Sequence, residues 1–451
     1  MSRPRNRMCP SIRIYAAMIF CVATTAVAQE AFTNAEILDS FEDPPVLPGH
    51  RRDARTPVLP SHEEASTHQK LLERDQLTGS WFGFRDRLTQ RGIDFAASYT
   101  LDWGSTLSGS VSGRNSTHQL FDVNSTVDLQ KLVGIDNATL FADAYFTRAY
   151  GGSSDIGDLH GVSNIDSGDD IAQLAELWYE HVLFDDKLRV KFGKLDGNSE
   201  FAFLEHASIT LNGSISIPKT VSDLPTFPEP ATGAVFFLNP TDSWYIGGGI
   251  FDGLAAEGMR TGNRGPDQFF SDSLSSAWFM ILESGVNWSA DTDDAPSGRF
   301  AVGTHLHTLE RPTFDSSDEE RATGFYALLE QRLYKASPSD TEETRGLYLN
   351  AMAGIGDRDV SEVIMQNMVG LVYEGPFESR PADRVAVFPS HLSTNRDAGF
   401  ERDEFLFETL YSFALTPWMS VTPDVQYVVN PGGDRELADA LRAGIRIEIT
   451  F

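Results

Sequence analysis

Hydrophobic and polar positions alternate with a period of two through most of the chain beyond residue 92. The end of the chain shows it most plainly. Over 441–451, Leu441, Ala443, Ile445, Ile447, Ile449 and Phe451 alternate with Arg442, Gly444, Arg446, Glu448 and Thr450. Such a segment is a strand with one face for an apolar surrounding and one for water. An edge strand of a soluble sandwich has the same period, so the rest of the chain must decide. The pattern predicts strands at 93–103, 120–131, 138–149, 174–184, 188–196, 231–238, 243–252, 280–290, 298–308, 323–334, 345–356, 366–375, 383–390, 405–415, 419–429 and 441–451. The count is even. The connections tend to alternate, long at 150–173 and 197–230, short at 185–187 and 239–242, with 335–344 and 376–382 longer than a tight turn. An all-β transmembrane antiparallel barrel of sixteen strands, with short periplasmic turns and long extracellular loops, accounts for both features.

One hairpin indicates what the inner face carries. With Asp185-Asp186 at the turn, Glu180 faces Lys191, Trp178 faces Gly193, Tyr179 faces Phe192 and Leu183 faces Leu188. The last two pairs are apolar and belong to the lipid side. Glu176, Trp178, Glu180, Arg189 and Lys191 then share the polar face, and the same logic puts Asp424, Gln426, Arg442, Arg446 and Glu448 inside near the closing seam. Charges are kept inside because Arg or Lys at mid-depth on the lipid side costs about 2–4 kcal/mol. These side chains either brace the wall or form a charged and aromatic eyelet whose donors and acceptors replace water around a solute.

The first residues change the picture from strand pattern to destination. Arg3, Arg5, Arg7 and Arg13 precede the apolar run 14–27, and Ala26-Val27-Ala28 offers the small residues a signal peptidase accepts. The run is shorter than the roughly 18 residues needed to span a bilayer, so 1–28 reads as a secretory leader cut before Gln29. Both cysteines, Cys9 and Cys21, lie in it, so disulfides contribute nothing to the mature chain. Residues 29–77 are rich in proline and charge and lack period two; they read as a periplasmic extension, partly disordered, with a short helix expected at 63–72. The barrel domain is 78–451. The formal charge is −29, and removal of the four leader arginines takes it to −33. A surface this acidic argues against binding nucleic acid or docking on anionic lipid through a basic patch.

Certain segments resemble a known family. Leu77-Thr78-Gly79-Ser80-Trp81-Phe82-Gly83-Phe84-Arg85-Asp86-Arg87-Leu88, closing at Gly92-Ile93, resembles the opening motif of the carbohydrate-selective porins of the OprB type. In the same order follow Ala175-Glu176-Leu177-Trp178-Tyr179-Glu180, Gly193-Lys194-Leu195-Asp196, Glu330-Gln331, Arg380-Pro381-Ala382-Asp383, Glu408-Thr409-Leu410-Tyr411, Pro417-Trp418, Pro423-Asp424-Val425-Gln426-Tyr427 and Asn430-Pro431-Gly432-Gly433. The resemblance spans 77–451. It implies a sixteen-stranded outer-membrane porin of a Gram-negative bacterium, facilitated diffusion of monosaccharides or small oligosaccharides, and no enzymatic activity. The chain departs from the family pattern at Phe82, Phe84 and 203–208. The terminal aromatic, Phe451, resembles the signal that barrel-assembly machinery reads, and the barrel is expected as a monomer or a homotrimer in outer-membrane lipid.

Other chemistry is sparse. There is no Gly-x-Ser-x-Gly, and His305 and His307 share one face of a strand with no evident serine. The segment 155–170 holds Asp155, Asp158, Asp166, Asp169 and Asp170 without the fixed spacing of an EF-hand, so it reads as a solvated outer loop. No cofactor or metal is expected. Two functions follow: a passive sugar-preferring channel, or a barrel closed by an inward loop such as 197–230 that serves as a binding or structural protein.

Overall fold

The computed structural model of the chain describes residues 71–110, 112–221, 223–253, 260–263, 277–288, 297–315, 318–337 and 344–451. The expected leader and nearly all of the extension lie outside the described residues. The strands are β1 (Ile93–Ser108), β2 (Asn115–Asp128), β3 (Ala138–Tyr150), β4 (Ile171–Leu183), β5 (Leu188–Leu195), β6 (Ala231–Thr241), β7 (Trp244–Asp252), β8 (Trp278–Trp288), β9 (Gly298–Pro312), β10 (Glu319–Lys335), β11 (Gly346–Gly356), β12 (Val363–Glu374), β13 (Arg384–Thr394), β14 (Glu404–Thr416), β15 (Met419–Val429) and β16 (Ala440–Thr450). Each pairs antiparallel with its neighbours in sequence, and β1 pairs with β16 to close a sixteen-strand barrel. Closure satisfies the edge amides that an open sheet would leave bare in lipid. Across the seam Tyr99 faces Ile449, Leu101 faces Ile447 and Asp102 faces Arg446.

All sixteen expected strands are present, and the differences lie at their ends. β2 begins at Asn115 rather than 120, since Asn115 and Ser116 continue the ladder with Ser105 and Gly104. Polar strand ends above the apolar zone have no alternation to detect. β2 also stops at Asp128, whose side chain accepts the amide of Lys131 at 3.0 Å and caps the helical turn Leu129–Val133. Among the described residues no helix is long and apolar enough to cross a membrane.

The outward positions are predominantly apolar around the whole circumference. Phe192 is 55% exposed and Phe325 64% exposed, which is a stable state only against lipid. The inward positions divide into two arcs. From β6 to β14 they include Phe237, Phe251, Phe279, Tyr326, Leu328, Tyr348, Met352, Met368 and Phe388. From β15 through the seam to β5 they are mainly polar: Asp424, Gln426, Arg442, Arg446, Thr100, Asp102, Asp122, Asn124, Asp143, Glu176, Arg189 and Lys191.

Candidate functional site

Two connections at the long-loop end fold into the barrel. Loop L3 (196–230) carries Ile209, Leu211, Ile215, Ile217, Val221 and Leu224, which pack in one cluster with the apolar arc. Its backbone amides are accepted by wall side chains: Ala202 by Glu283 at 3.0 Å, His206 by Glu330 at 3.2 Å, Leu211 and Asn212 by Glu408 at 2.8 and 3.1 Å, and Lys219 by the Gln366 amide oxygen at 2.6 Å. A buried carboxylate is tolerated when fixed donors surround it. Glu283 shows this best, since Tyr245 and Tyr326 also donate to it at 2.7 and 2.8 Å. The His206 ring stacks on Tyr348 at 3.8 Å and meets Glu374 at 3.1 Å. Burial opposes its charged form, yet the bond to Glu374 and the nearby Glu205 and Glu330 push its pKa up to about 9.

Loop L2 (151–170) reaches the opposite wall through Glu404, which accepts the amides of Leu159 and His160 at 2.9 Å and that of Gly432 at 2.6 Å. His160 lies between Glu404 at 2.6 Å and the Ser390 hydroxyl at 3.1 Å. This Ser–His–Glu sequence is fully buried, and Ser390 also meets the Gln366 amide nitrogen at 3.2 Å, so it latches L2 to β13 and β14. Burial, with the Glu404 charge beside it, pushes Asp158 up to about 6. The two loops join each other where the Asn164 amide donates to the Leu211 carbonyl at 2.6 Å.

The expected hairpin has the expected register: Glu180 faces Lys191, Trp178 faces Gly193, Tyr179 faces Phe192 and Leu183 faces Leu188. The turn itself is four residues, 184–187, with Phe184, Asp185 and Asp186 all at positive φ. Glu176, Trp178, Glu180, Arg189 and Lys191 lie on the inner face, gathered beneath L3. Arg189 and Lys191 both bind Glu200 of L3 at 2.5 Å and Glu180 at 2.9 and 3.4 Å. Trp178 is 9% exposed, its ring stacked on Phe141 at 4.8 Å and capped by the Lys191 ammonium at 3.8 Å. The aromatic member of the eyelet alternative, Trp178, is thus part of an internal stack in this structure.

The seam residues also face inward. Arg446 binds Asp102 through two contacts of 2.7 Å, with Ser163 of L2 donating to Asp102 at 2.6 Å. Gln426 bridges Asp424 at 3.0 Å and the Val162 carbonyl at 3.0 Å. Glu448 accepts from Ser420 at 2.8 Å near the short-turn end. The Arg442 guanidinium lies over Gly104, in space that a Cβ there would enter at 2.3 Å. Some buried polar atoms of this arc have no partner in the protein, among them Ser98 Oγ and Arg446 Nη1.

The carboxylates that hold L3, and the His160 latch, escaped the sequence reading. Glu330 and Glu408 fell in family-like segments, but the spacing along a strand carries no information about a loop amide that arrives from more than a hundred residues away. The other candidates resolve simply. His305 meets the Thr220 carbonyl at 3.1 Å and His307 accepts the Leu309 amide at 3.1 Å. The acids of 155–170 do not converge on one point: Asp155 pairs with Arg114 at 2.8 Å and Asp169 with Arg260 at 2.6 Å. Asp383 of the Arg380-Pro381-Ala382-Asp383 turn takes the Tyr411 hydroxyl at 2.8 Å and the Ala414 amide at 3.0 Å. In Asn430-Pro431-Gly432-Gly433, Gly432 has φ 64° and a Cβ on it would lie 2.6 Å from the Gly157 carbonyl of L2.

A closed sixteen-strand barrel with an apolar exterior, a charged inner arc and loops folded inward defines an outer-membrane channel protein. The profile of the carbohydrate-selective porin, OprB family, matches residues 112–451, and the chain belongs to that family. It is 24% identical over 426 residues to Porin B of Pseudomonas aeruginosa, covering 83% of this chain and 91% of the relative. It is 21% identical over 421 residues to the putative porin QuiX of Acinetobacter baylyi, covering 84% and 94%. The high-pH structure of Pseudomonas putida OprB superimposes with a TM-score of 0.76 at 20% identity, covering 85% of this chain and all of that one. That likeness concerns the fold; family and fold together place the chain in the outer membrane as a channel.

Proposed function

We propose that the chain passes monosaccharides, small oligosaccharides and similar polar solutes by facilitated diffusion along the polar arc from β15 to β5. The observation that supports this most is the segregation of the inner face. The apolar arc packs its aromatic and aliphatic side chains against L3, whereas the polar arc concentrates buried charge and keeps atoms such as Ser98 Oγ and Arg446 Nη1 that no protein group meets. Such atoms are satisfied by water or by a solute's hydroxyls. In this reading Asp424, Gln426, Arg442 and Arg446 line the path. Glu176, Trp178, Glu180, Arg189 and Lys191 flank it while holding L3 through Glu200. Contacts of this kind must be weak, or the channel would trap its cargo. The reading also includes a leader at 1–28 cut before Gln29, assembly through the terminal Phe451, lipid around the apolar exterior, and a monomer or homotrimer.

A second reading, a barrel closed by L3 that acts as a binding or structural protein, draws on the number of bonds that fix L3 to the wall. Single-channel recording separates the two. Discrete open steps that added glucose blocks, with liposome swelling graded by sugar size, are the expected result. A folded barrel that gives no steps and no swelling overturns transport and leaves the second reading.

A further inference from the structure

The segment 71–92 runs along the rim at the short-turn end and is not used by the proposed pathway. The Trp418 indole donates to the Leu71 carbonyl at 3.0 Å, the Leu77 amide to the Thr450 carbonyl at 2.9 Å, and Arg85 to the backbone oxygens of Phe451 and Phe95 at 2.9 and 3.2 Å. The segment thus clasps the seam beside Phe451, whose ring lies 6.1 Å from Phe121 on the lipid-facing wall. Trp81, Phe82 and Gly83 have φ of 51°, 59° and 79°. Two bulky residues in the left-handed region are unusual, and here the conformation gains no packing for Phe82, which is 102% exposed. Phe84 is 51% exposed, with the Arg87 guanidinium 5.9 Å from its ring. Arg87 and Arg91 are exposed as well.

We propose that this turn is an interfacial anchor that docks on the phospholipid of the periplasmic leaflet. Phe82 and Phe84 enter the boundary between acyl chains and headgroups, and Arg87 and Arg91 meet the phosphates. The occupant follows from position and chemistry. The segment is continuous with the lipid-facing wall through Phe95 and Phe451, and aromatic rings beside arginines are the side chains that settle at that depth. A folded aqueous surface has no use for a fully exposed phenylalanine held in a strained turn.

The test places a nitroxide at Phe82→Cys, and separately at Phe84→Cys, in the full chain lacking Cys9 and Cys21, reconstituted in vesicles of phosphatidylethanolamine and phosphatidylglycerol. Collision with oxygen is compared with collision with a water-soluble nickel chelate. Phe121→Cys is the lipid-facing control and Asp186→Cys, in a short turn, the aqueous one. Both labels should favour oxygen several-fold over Asp186→Cys, and more so as phosphatidylglycerol increases. Nickel accessibility equal to that of Asp186→Cys overturns the anchor, as does spin–spin broadening that marks a second copy on the turn. Should Phe82→Cys fail to fold, Phe84→Cys decides alone. Neither label touches the inner face, so the result is independent of sugar passage.

Discussion

The two arcs of the wall share one exterior and differ inside. The nine strands β6–β14 turn aromatic and aliphatic side chains inward and bury them against L3; the seven strands β15–β5 turn inward the charges of Asp102, Asp122, Arg442 and Arg446. The carboxylates of the first arc, such as Glu283 and Glu408, are clamps with backbone amides on them, whereas in the second arc Asp102 and Glu180 pair with the side chains of Arg446 and Arg189. A barrel this wide needs a filled side to position its loops and a wet side to work. One inner face supplies both by changing its residue types around the circumference.

The largest effect expected from breaking this contrast is at Glu283. Glu283→Ala leaves the Tyr245 and Tyr326 hydroxyls, the Ala202 amide and Arg299 without their common acceptor. Removing one partner of a buried charged network costs about 3–5 kcal/mol, so L3 should detach and become cleavable by protease in the folded barrel. Uncut L3 in this variant would mean that apolar packing alone holds it.

The exterior should not distinguish the arcs. Ile445→Arg in the polar arc and Val387→Arg in the apolar arc should each cost about 2–4 kcal/mol and reduce the heat-modifiable barrel alike. Tolerance at one site only would place that face away from lipid.

A pH dependence should appear on the apolar side. The His206 pKa is raised above its ordinary 6.5 to about 9, so the stabilisation it gives L3 is complete below pH 6.5 and is lost as the pH rises through 9. Protease sensitivity of L3 should increase across that window, reflecting on the order of 3 kcal/mol. His206→Gln should flatten the profile, and an unchanged profile would assign the dependence elsewhere. The smallest effect belongs to the polar arc: Asp122→Asn should shift unfolding by about 1 kcal/mol or less, because Asp122 carries no loop amide. A loss as large as that at Glu283 would erase the distinction.

The wall was legible in the sequence because lipid enforces period two: every expected strand exists, and the pairing of Glu180 with Lys191 follows from the turn position alone. The inward direction of Arg442, Arg446, Asp424 and Gln426 was legible for the same reason. What they touch was not. Glu200 meets Arg189 and Lys191, and His160 meets Glu404, through loops with no period. The apolar inner arc was hidden as well, since Phe388 and Leu410 face a folded loop and no local pattern distinguishes that from facing lipid.

The claim that solutes follow the polar arc is tested most directly by single cysteines on the two inner faces. Asn124→Cys and Ala386→Cys, each in a chain lacking Cys9 and Cys21, would be treated with a water-soluble methanethiosulfonate reagent during bilayer recording with glucose present. Modification at Asn124→Cys should lower the open current and remove the glucose block, while Ala386→Cys should not react. Reaction and block at Ala386→Cys, with Asn124→Cys silent, would contradict it.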